Sequence, residues 1–221
     1  MSLNLSKGNM YDFITHTWNT IKGKCYHDCS YCYMKRFKQN PVRFDNAELK
    51  TNLGENNFIF VGSSCDMFSK EIPIEWIEKT LRHCWQFDNN QYLFQSKNPE
   101  RMQYIYDFNL DPRSVVCTTI ETNRIYPDIM RNSPLPLIRA QEISIFQNMK
   151  RFVTIEPILD FDLKEFIDML KNIAPEQVNI GADSGNNNLP EPPKEKIIEL
   201  INELKTFTII HNKKNLERLL K

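Results

Sequence analysis

The sequence predicts an α/β fold in which a parallel sheet is covered by helices. Three observations carry this. Short apolar runs rich in β-branched and aromatic residues recur roughly 30 residues apart, the length of a βα unit. Amphipathic stripes at helical spacing fall between them. The chain holds only six glycines, without a Gly-x-Gly-x-x-Gly or Walker loop, so ordinary dinucleotide- and nucleotide-binding α/β folds fit poorly. Six or seven such units are too few for an eightfold barrel. A partial TIM-like barrel, open at one side and forming one domain over residues 1–221, is the expected architecture.

The elements follow in order. A weak first strand is expected near Trp18–Lys24, then strands at Phe58–Val61, Tyr92–Phe94, Val115–Thr118, Phe152–Ile155, Val178–Ile180 and Phe207–Ile210. Ile74, Ile77, Leu81, Cys84 and Trp85 repeat at helical spacing, as do Leu163, Phe166, Ile167 and Leu170, and then Ile197, Ile198, Ile201 and Leu204. These stripes read as core. Leu189-Pro-Glu-Pro-Pro193 reads as a loop entering a helix near Lys194.

Parallel βα folds gather function at the carboxyl ends of their strands. Those ends carry Gly62-Ser-Ser-Cys-Asp-Met67, Gln95-Ser-Lys97, Thr118-Thr-Ile-Glu-Thr-Asn123, Thr154-Ile-Glu156 and Gly181-Ala-Asp-Ser-Gly185. One polar cap is commonplace, but a series of them predicts a lined site.

Composition narrows the setting. With 28 basic and 28 acidic residues, overall charge announces no nucleic-acid partner. The distribution is uneven: Lys35, Arg36, Lys38 and Arg43 follow the cysteine stretch described below, and Lys213, Lys214, Arg218 and Lys221 lie near the C-terminus. A basic rim suits a phosphate-bearing substrate, while a solvated helix face is the plainer reading. No apolar run reaches the roughly 18 residues of a membrane span, and no leader opens the chain, so a cytoplasmic, membrane-free protein is expected.

The sharpest signal is the cysteine stretch Gly23-Lys-Cys-Tyr-His-Asp-Cys-Ser-Tyr-Cys-Tyr33. Cys25, Cys29 and Cys32 form a C-x3-C-x2-C motif. Three thiolates so close together can hold three corners of a 4Fe-4S cluster and leave the fourth iron open to a cofactor. Structural zinc is the alternative. It usually takes four ligands in two separated pairs; no second pair follows here, although His27 lies inside the motif. Six cysteines in 221 residues are thin for a disulfide framework. Cys84 and Cys117, in an apolar helix and an apolar strand, read as core.

The cysteine motif with Tyr31 before its last thiol, Thr17-Trp-Asn19 upstream, and the Gly-Ser-x-x-Asp-x-Phe segment from Gly62 resemble the radical S-adenosylmethionine (SAM) superfamily across nearly the whole chain. Within it the chain looks most like small phage-associated proteins of unassigned activity. More distantly, it is similar to spore photoproduct lyase, which repairs a thymine dimer in DNA. The resemblance implies a partial (βα)6 barrel.

It also implies roles. Cys25, Cys29 and Cys32 would ligate the cluster, and SAM would chelate the open iron through its amino and carboxylate groups. Tyr31 would pack near the adenine. Ser63, Ser64 and Asp66 stand where the superfamily often carries a Gly-Gly-Glu-like segment for the cofactor's amino group; this chain departs from that pattern, and Asp66 reads equally as a helix cap. Ser96 and Lys97 would hold the cofactor carboxylate or ribose, with a plain loop lysine as the alternative. Glu121, Glu156, Asp183 and Ser184 would bind ribose hydroxyls or substrate, or pair with nearby arginines. Cys65 lies near the place of the lyase's hydrogen-donating cysteine, though isolated thiols are more often packing residues.

The implied chemistry is reductive cleavage of SAM to methionine and a 5′-deoxyadenosyl radical, which abstracts hydrogen from a substrate. Such a protein takes electrons from an external donor of flavodoxin or ferredoxin type. Tyr26, Tyr31 and Tyr33 beside Lys35 and Arg36 favour a nucleic-acid base as substrate. A peptide or small molecule, and a non-catalytic iron-sulfur or zinc module, are the other readings.

Overall fold

The computed structural model describes residues 3–8, 10–108 and 110–221. Its frame is an eight-stranded sheet. The strands are β1 (Asn4–Leu5) and β2 (His16–Trp18); β3 (Ile21–Lys22) and β4 (Arg43–Phe44), which form a separate ribbon; then β5 (Phe58–Val61), β6 (Gln91–Ser96), β7 (Val115–Thr119), β8 (Lys150–Ile155), β9 (Gln177–Ile180) and β10 (Ile209–Asn212). The sheet order is β1-β2-β5-β6-β7-β8-β9-β10. All pairs are parallel except β1 with β2.

Helices make the crossovers: α1 (Ile74–Trp85), a 3-10 segment at Pro99–Asp107, the short α2 (Pro127–Met130) with α3 (Pro136–Ser144), α4 (Leu163–Ile173) and α5 (Lys194–Leu204), before α6 (Glu217–Leu220) closes the chain. The expected α/β class, parallel sheet and outer helices are what the structure has. None of these helices is long and apolar enough to cross a membrane, among the described residues.

Two strand boundaries differ from expectation. The first parallel strand is His16–Trp18, and Ile21–Lys22 leaves the sheet to pair with Arg43–Phe44. The last strand starts at Ile209 instead of Phe207. The amides of Thr206, Phe207 and Thr208 bond to the final carbonyls of α5 at Glu203 and Leu204, so only Ile209 onward is free to pair with β9.

Alternation along the strands divides the core. Ile59, Val61, Tyr92, Phe94, Val116, Val153, Ile155, Val178 and Ile180 pack outward against Ile77 and Leu81 of α1, Ile143 of α3, Phe166 and Leu170 of α4, and Leu200 and Leu204 of α5. Phe60, Leu93, Val115, Cys117 and Phe152 face the other way, where the segment before β2 fills the space with Tyr11, Phe13 and Ile14. Phe13 meets Phe152 edge-on and Tyr11 stacks on Phe13. Cys84 and Cys117 are fully buried.

Above this apolar floor lies a polar layer one residue pair further along the strands. The Tyr11 hydroxyl donates to Gln95 Oε1 at 2.7 Å and bonds Thr154 Oγ1 at 2.6 Å; Gln95 Nε2 donates to Thr119 Oγ1 at 3.0 Å. The N-terminal segment is thereby stitched across β6, β7 and β8. Tyr11→Phe leaves Gln95 Oε1 without its donor and the Thr154 hydroxyl without its acceptor, so urea denaturation should show a loss of about 1–3 kcal/mol.

Candidate active site

The β3–β4 ribbon brackets the cysteine loop. Lys24 N donates to Asn40 O at 2.9 Å at its neck. Gly23 sits there with φ +116°, and a Cβ would come 2.5 Å from Pro41 O, so only glycine closes this neck without displacing backbone. Within the loop Asp28 N bonds Cys25 O and Cys32 N bonds Cys29 O, a pair of tight turns. The segment around α2 grips it from outside: Ser30 N donates to Ile129 O at 2.9 Å and Asn132 N to His27 O at 3.1 Å.

Cys25, Cys29 and Cys32 all line one cavity of about 1070 Å³ at the carboxyl ends of the parallel strands. Tyr31, Ser63, Ser64, Cys65, Asp66, Ser96, Lys97, Glu156, Asp183 and Ser184 line it too. Every cysteine is a free thiol. Among the described residues, no three Cys, His, Asp or Glu side chains are drawn together at metal-binding distances. The donor set itself, three thiols on one short loop facing one cavity, fits a thiolate-ligated cluster with an open corner. Cys65 lies beside Cys25. The neighbouring Cys65 thiol brings Cys25 down to about 6, while that same contact, with burial, pushes Cys65 upward.

Several expected site residues are also engaged with the scaffold. Asp66 Oδ2 accepts from His27 Nε2 at 2.8 Å, Ser96 Oγ at 2.9 Å and Lys97 N at 2.9 Å, and its Oδ1 accepts from Phe68 N at 3.0 Å. Burial raises its pKa, but these donors and His27 outweigh that and hold it below the usual range. Asp66 therefore has its lone pairs committed to the protein rather than to a ligand's ammonium group.

Glu121 is the one expected site residue that does not line the cavity. It is fully buried, paired with the equally buried Arg139 at 2.7 Å, and accepts from the Tyr31 hydroxyl. Burial alone would raise its pKa; Arg139 and Lys97 bring it down. Its work is to hold Tyr31, and with it the cysteine loop, against β7.

Lys97 Nζ stands 5.4 Å over the Tyr31 ring and, among the described residues, has no hydrogen-bond partner. Burial disfavours its charge, but Cys29 and Glu121 outweigh that and its pKa is raised. A cation beside three thiols with unused donors is an anion-binding group in waiting.

Ser63 bonds Asn19 at 3.2 Å, and Ser64 N donates to Asn19 Oδ1 at 2.9 Å, which ties the loop after β5 to the end of β2. Asp183 accepts from Gly185 N at 2.9 Å and Asn187 Nδ2 at 2.6 Å, so its carboxylate organises the turn after β9. Glu156 accepts from Lys213 and from Asn215 Nδ2. A Cβ on Gly181 would lie 2.8 Å from Glu156 Oε1, so glycine here makes room for that carboxylate.

Sequence reasoning missed Tyr11 and Asn215, and it gave His27 and Lys213 other places, as a possible zinc ligand and in a basic rim. Lys213 was legible in principle: it follows β10 at the same strand-end position as the others, with its ammonium 4.8 Å over the Tyr11 ring. The two-residue displacement of the last strand hid it in a basic tail. Asn215 further binds Ala182 O and Ser184 Oγ, and Arg36 Nη2 reaches Ser184 O at 2.8 Å from across the cavity mouth. Arg139 is among the arginines that the sequence offers as partners for a strand-end acid, and the structure pairs it with Glu121.

Glu121→Gln leaves the Arg139 cation buried without its counter-charge, and should lower stability at neutral pH by about 3–5 kcal/mol in urea denaturation. Because the folded-state pKa of Glu121 is depressed, its stabilisation is present above its ordinary value of 4.5 and is lost as pH falls through the lower folded value. The variant should accordingly show a shallower acid limb than the parent protein.

Solved structures that share this fold include spore photoproduct lyase complexed with dinucleoside spore photoproduct, at TM-score 0.68 and 11% identity, over 96% of this chain and 79% of that one. A variant of the lyase with bound AdoMet and dinucleoside spore photoproduct matches at TM-score 0.67 and 11% identity, over 94% and 78%. At such identity the likeness is one of fold. No curated protein sequence matches the chain. The family described as "Protein of unknown function (DUF5131)" matches residues 9–196. The chain belongs to that family and carries the fold of the radical SAM enzyme spore photoproduct lyase.

Proposed function

We propose that this chain is a radical SAM enzyme acting on a base in a nucleic acid. The observation that carries the reading is the convergence, on one cavity at the carboxyl ends of a parallel sheet, of three free, closely spaced thiols and a lysine whose ammonium has no hydrogen-bond partner among the described residues. The fold likeness to spore photoproduct lyase supports it. Cys25, Cys29 and Cys32 would hold a 4Fe-4S cluster. When bound, the cluster and SAM supply reductive cleavage of the sulfonium and a 5′-deoxyadenosyl radical for hydrogen abstraction.

The chain's own residues do the rest. Lys97 offers a compact cation to the cofactor carboxylate. Tyr31, clamped by Glu121, presents a fixed ring beside it. Glu156, Ser184 and Asp183, at the far wall, offer acceptors to ribose hydroxyls. Asp66 acts one contact further out, fixing His27 and the amide of Lys97 so that both loops keep their register. Cys65, on the cavity wall beside Cys25, offers a thiol hydrogen to a substrate radical. At the mouth, exposed Tyr33 and Phe37 next to Lys35 and Arg36 combine flat apolar surface with phosphate-binding cations. Electrons would come from an external flavodoxin- or ferredoxin-type donor.

One observation favours a second reading. Cys65 lines the same cavity as the three loop thiols, which gives the four thiols that a tetrathiolate zinc site takes. Metal and acid-labile sulfide analysis separates the two.

The anaerobically reconstituted, reduced protein should form 5′-deoxyadenosine from SAM, and Cys29→Ala should abolish it. A full cluster with no cleavage, or stoichiometric zinc without sulfide, would sink the enzyme reading. Lys97→Met should weaken SAM binding by about tenfold or more, as loss of a charge-assisted contact predicts. Cys65→Ala should leave cleavage intact but change the substrate-derived product; unchanged products would remove Cys65 from the chemistry.

A further inference from the structure

Ser133 lies outside the cysteine motif and more than 100 positions along the chain, yet its hydroxyl Oγ is 3.3 Å from Cys29 Sγ. Among the described residues, neither Cys25 nor Cys32 has a hydroxyl partner of this kind, and Ser133 Oγ has no other hydrogen bond. Its position is enforced from both sides. Asn132 N donates to His27 O at 3.1 Å, Asn132 Nδ2 to Tyr26 O at 2.9 Å, and Arg131 Nη1 pairs with Asp28 at 2.6 Å. Ser133 N bonds Met130 O at 3.1 Å. Arg131 turns the chain with φ 51° and ψ −114°, a conformation that costs a non-glycine residue on the order of 1–3 kcal/mol. Pro134 follows directly and restricts Ser133 to extended backbone. A strained turn held by contacts to the cysteine loop thus aims one hydroxyl at one sulfur.

We propose that Ser133 is a positioning residue for the cluster, donating a hydrogen bond to the Cys29 sulfur and raising the cluster's reduction potential. This rests on the cluster reading above. A thiolate bound to iron carries no proton, so the hydroxyl must be the donor. Reduction adds negative charge to the cluster and its sulfurs, and a donor aimed at a sulfur stabilises the reduced form more than the oxidised one. The α2 segment thereby does more than brace the loop: it adjusts how readily the site accepts an electron.

The test is a redox titration of the reconstituted cluster, followed by electron paramagnetic resonance, in the parent protein, Ser133→Ala, Ser133→Thr and Ser133→Val. Ser133→Ala should shift the midpoint to more negative potential by roughly tenfold in the reduction equilibrium, about 59 mV for one electron. Threonine and valine have the same shape and differ by the hydroxyl, so Ser133→Thr should stay near the parent value and Ser133→Val should follow alanine. An unchanged potential in Ser133→Ala, or equal behaviour of the Thr and Val variants, whether loaded or empty, overturns the proposal. A parent protein that takes up no cluster overturns the underlying reading instead, before any variant is compared.

Discussion

The Asp66 carboxylate is the tie on which the arrangement of the site depends. Four donors converge on it: a histidine from the cysteine loop, a serine and an amide from the end of β6, and an amide from its own turn. A charge removed from water is tolerable only when it is met in this way, and loss of any one donor leaves the charge under-compensated. The same economy explains Glu121, which joins Arg139 beneath α3 to Tyr31 on the cysteine loop. Two buried carboxylates, on the loops after β5 and β7, thus clamp the cysteine loop from either side. The loop has few apolar contacts of its own, and electrostatic ties replace the core it lacks.

These ties sit above a floor that the N-terminal segment supplies. An open sheet leaves one face without a covering helix layer, and Tyr11, Phe13 and Ile14 fill it. The Tyr11 hydroxyl turns that plug from a purely apolar filler into the base of the polar layer. The Lys213 ammonium then lies over its ring and reaches Glu156. The cavity wall is consequently built from both ends of the chain, with His211 to Asp12 at 3.0 Å as a further link between them.

Much of the cavity lining was legible beforehand because it obeys a one-dimensional rule. Cavity-lining side chains follow apolar strands, and Lys97, Glu156 and Asp183 could be found by locating the strands and reading on one to three residues. The rule failed where a position is decided by a distant partner. Glu121 satisfies it by count but turns into the core, because Arg139 waits there. Lys213 escaped it because the last carbonyls of α5 delay the start of β10. Asn215 and Ser133 have no local pattern at all; each matters only through a contact with a residue far along the chain.

The sequence by itself determined the alternation of strands and helices, the parallel order that alternation enforces, and the three thiols on one short loop, all of them consequences of spacing between near neighbours. Only the tertiary structure decided which strand-end groups face the cavity and which are consumed in holding it. That choice depends on the sheet register, on the plug beneath and on where each buried charge finds its partner. Those are long-range contacts, and no window of sequence contains both members of the pair.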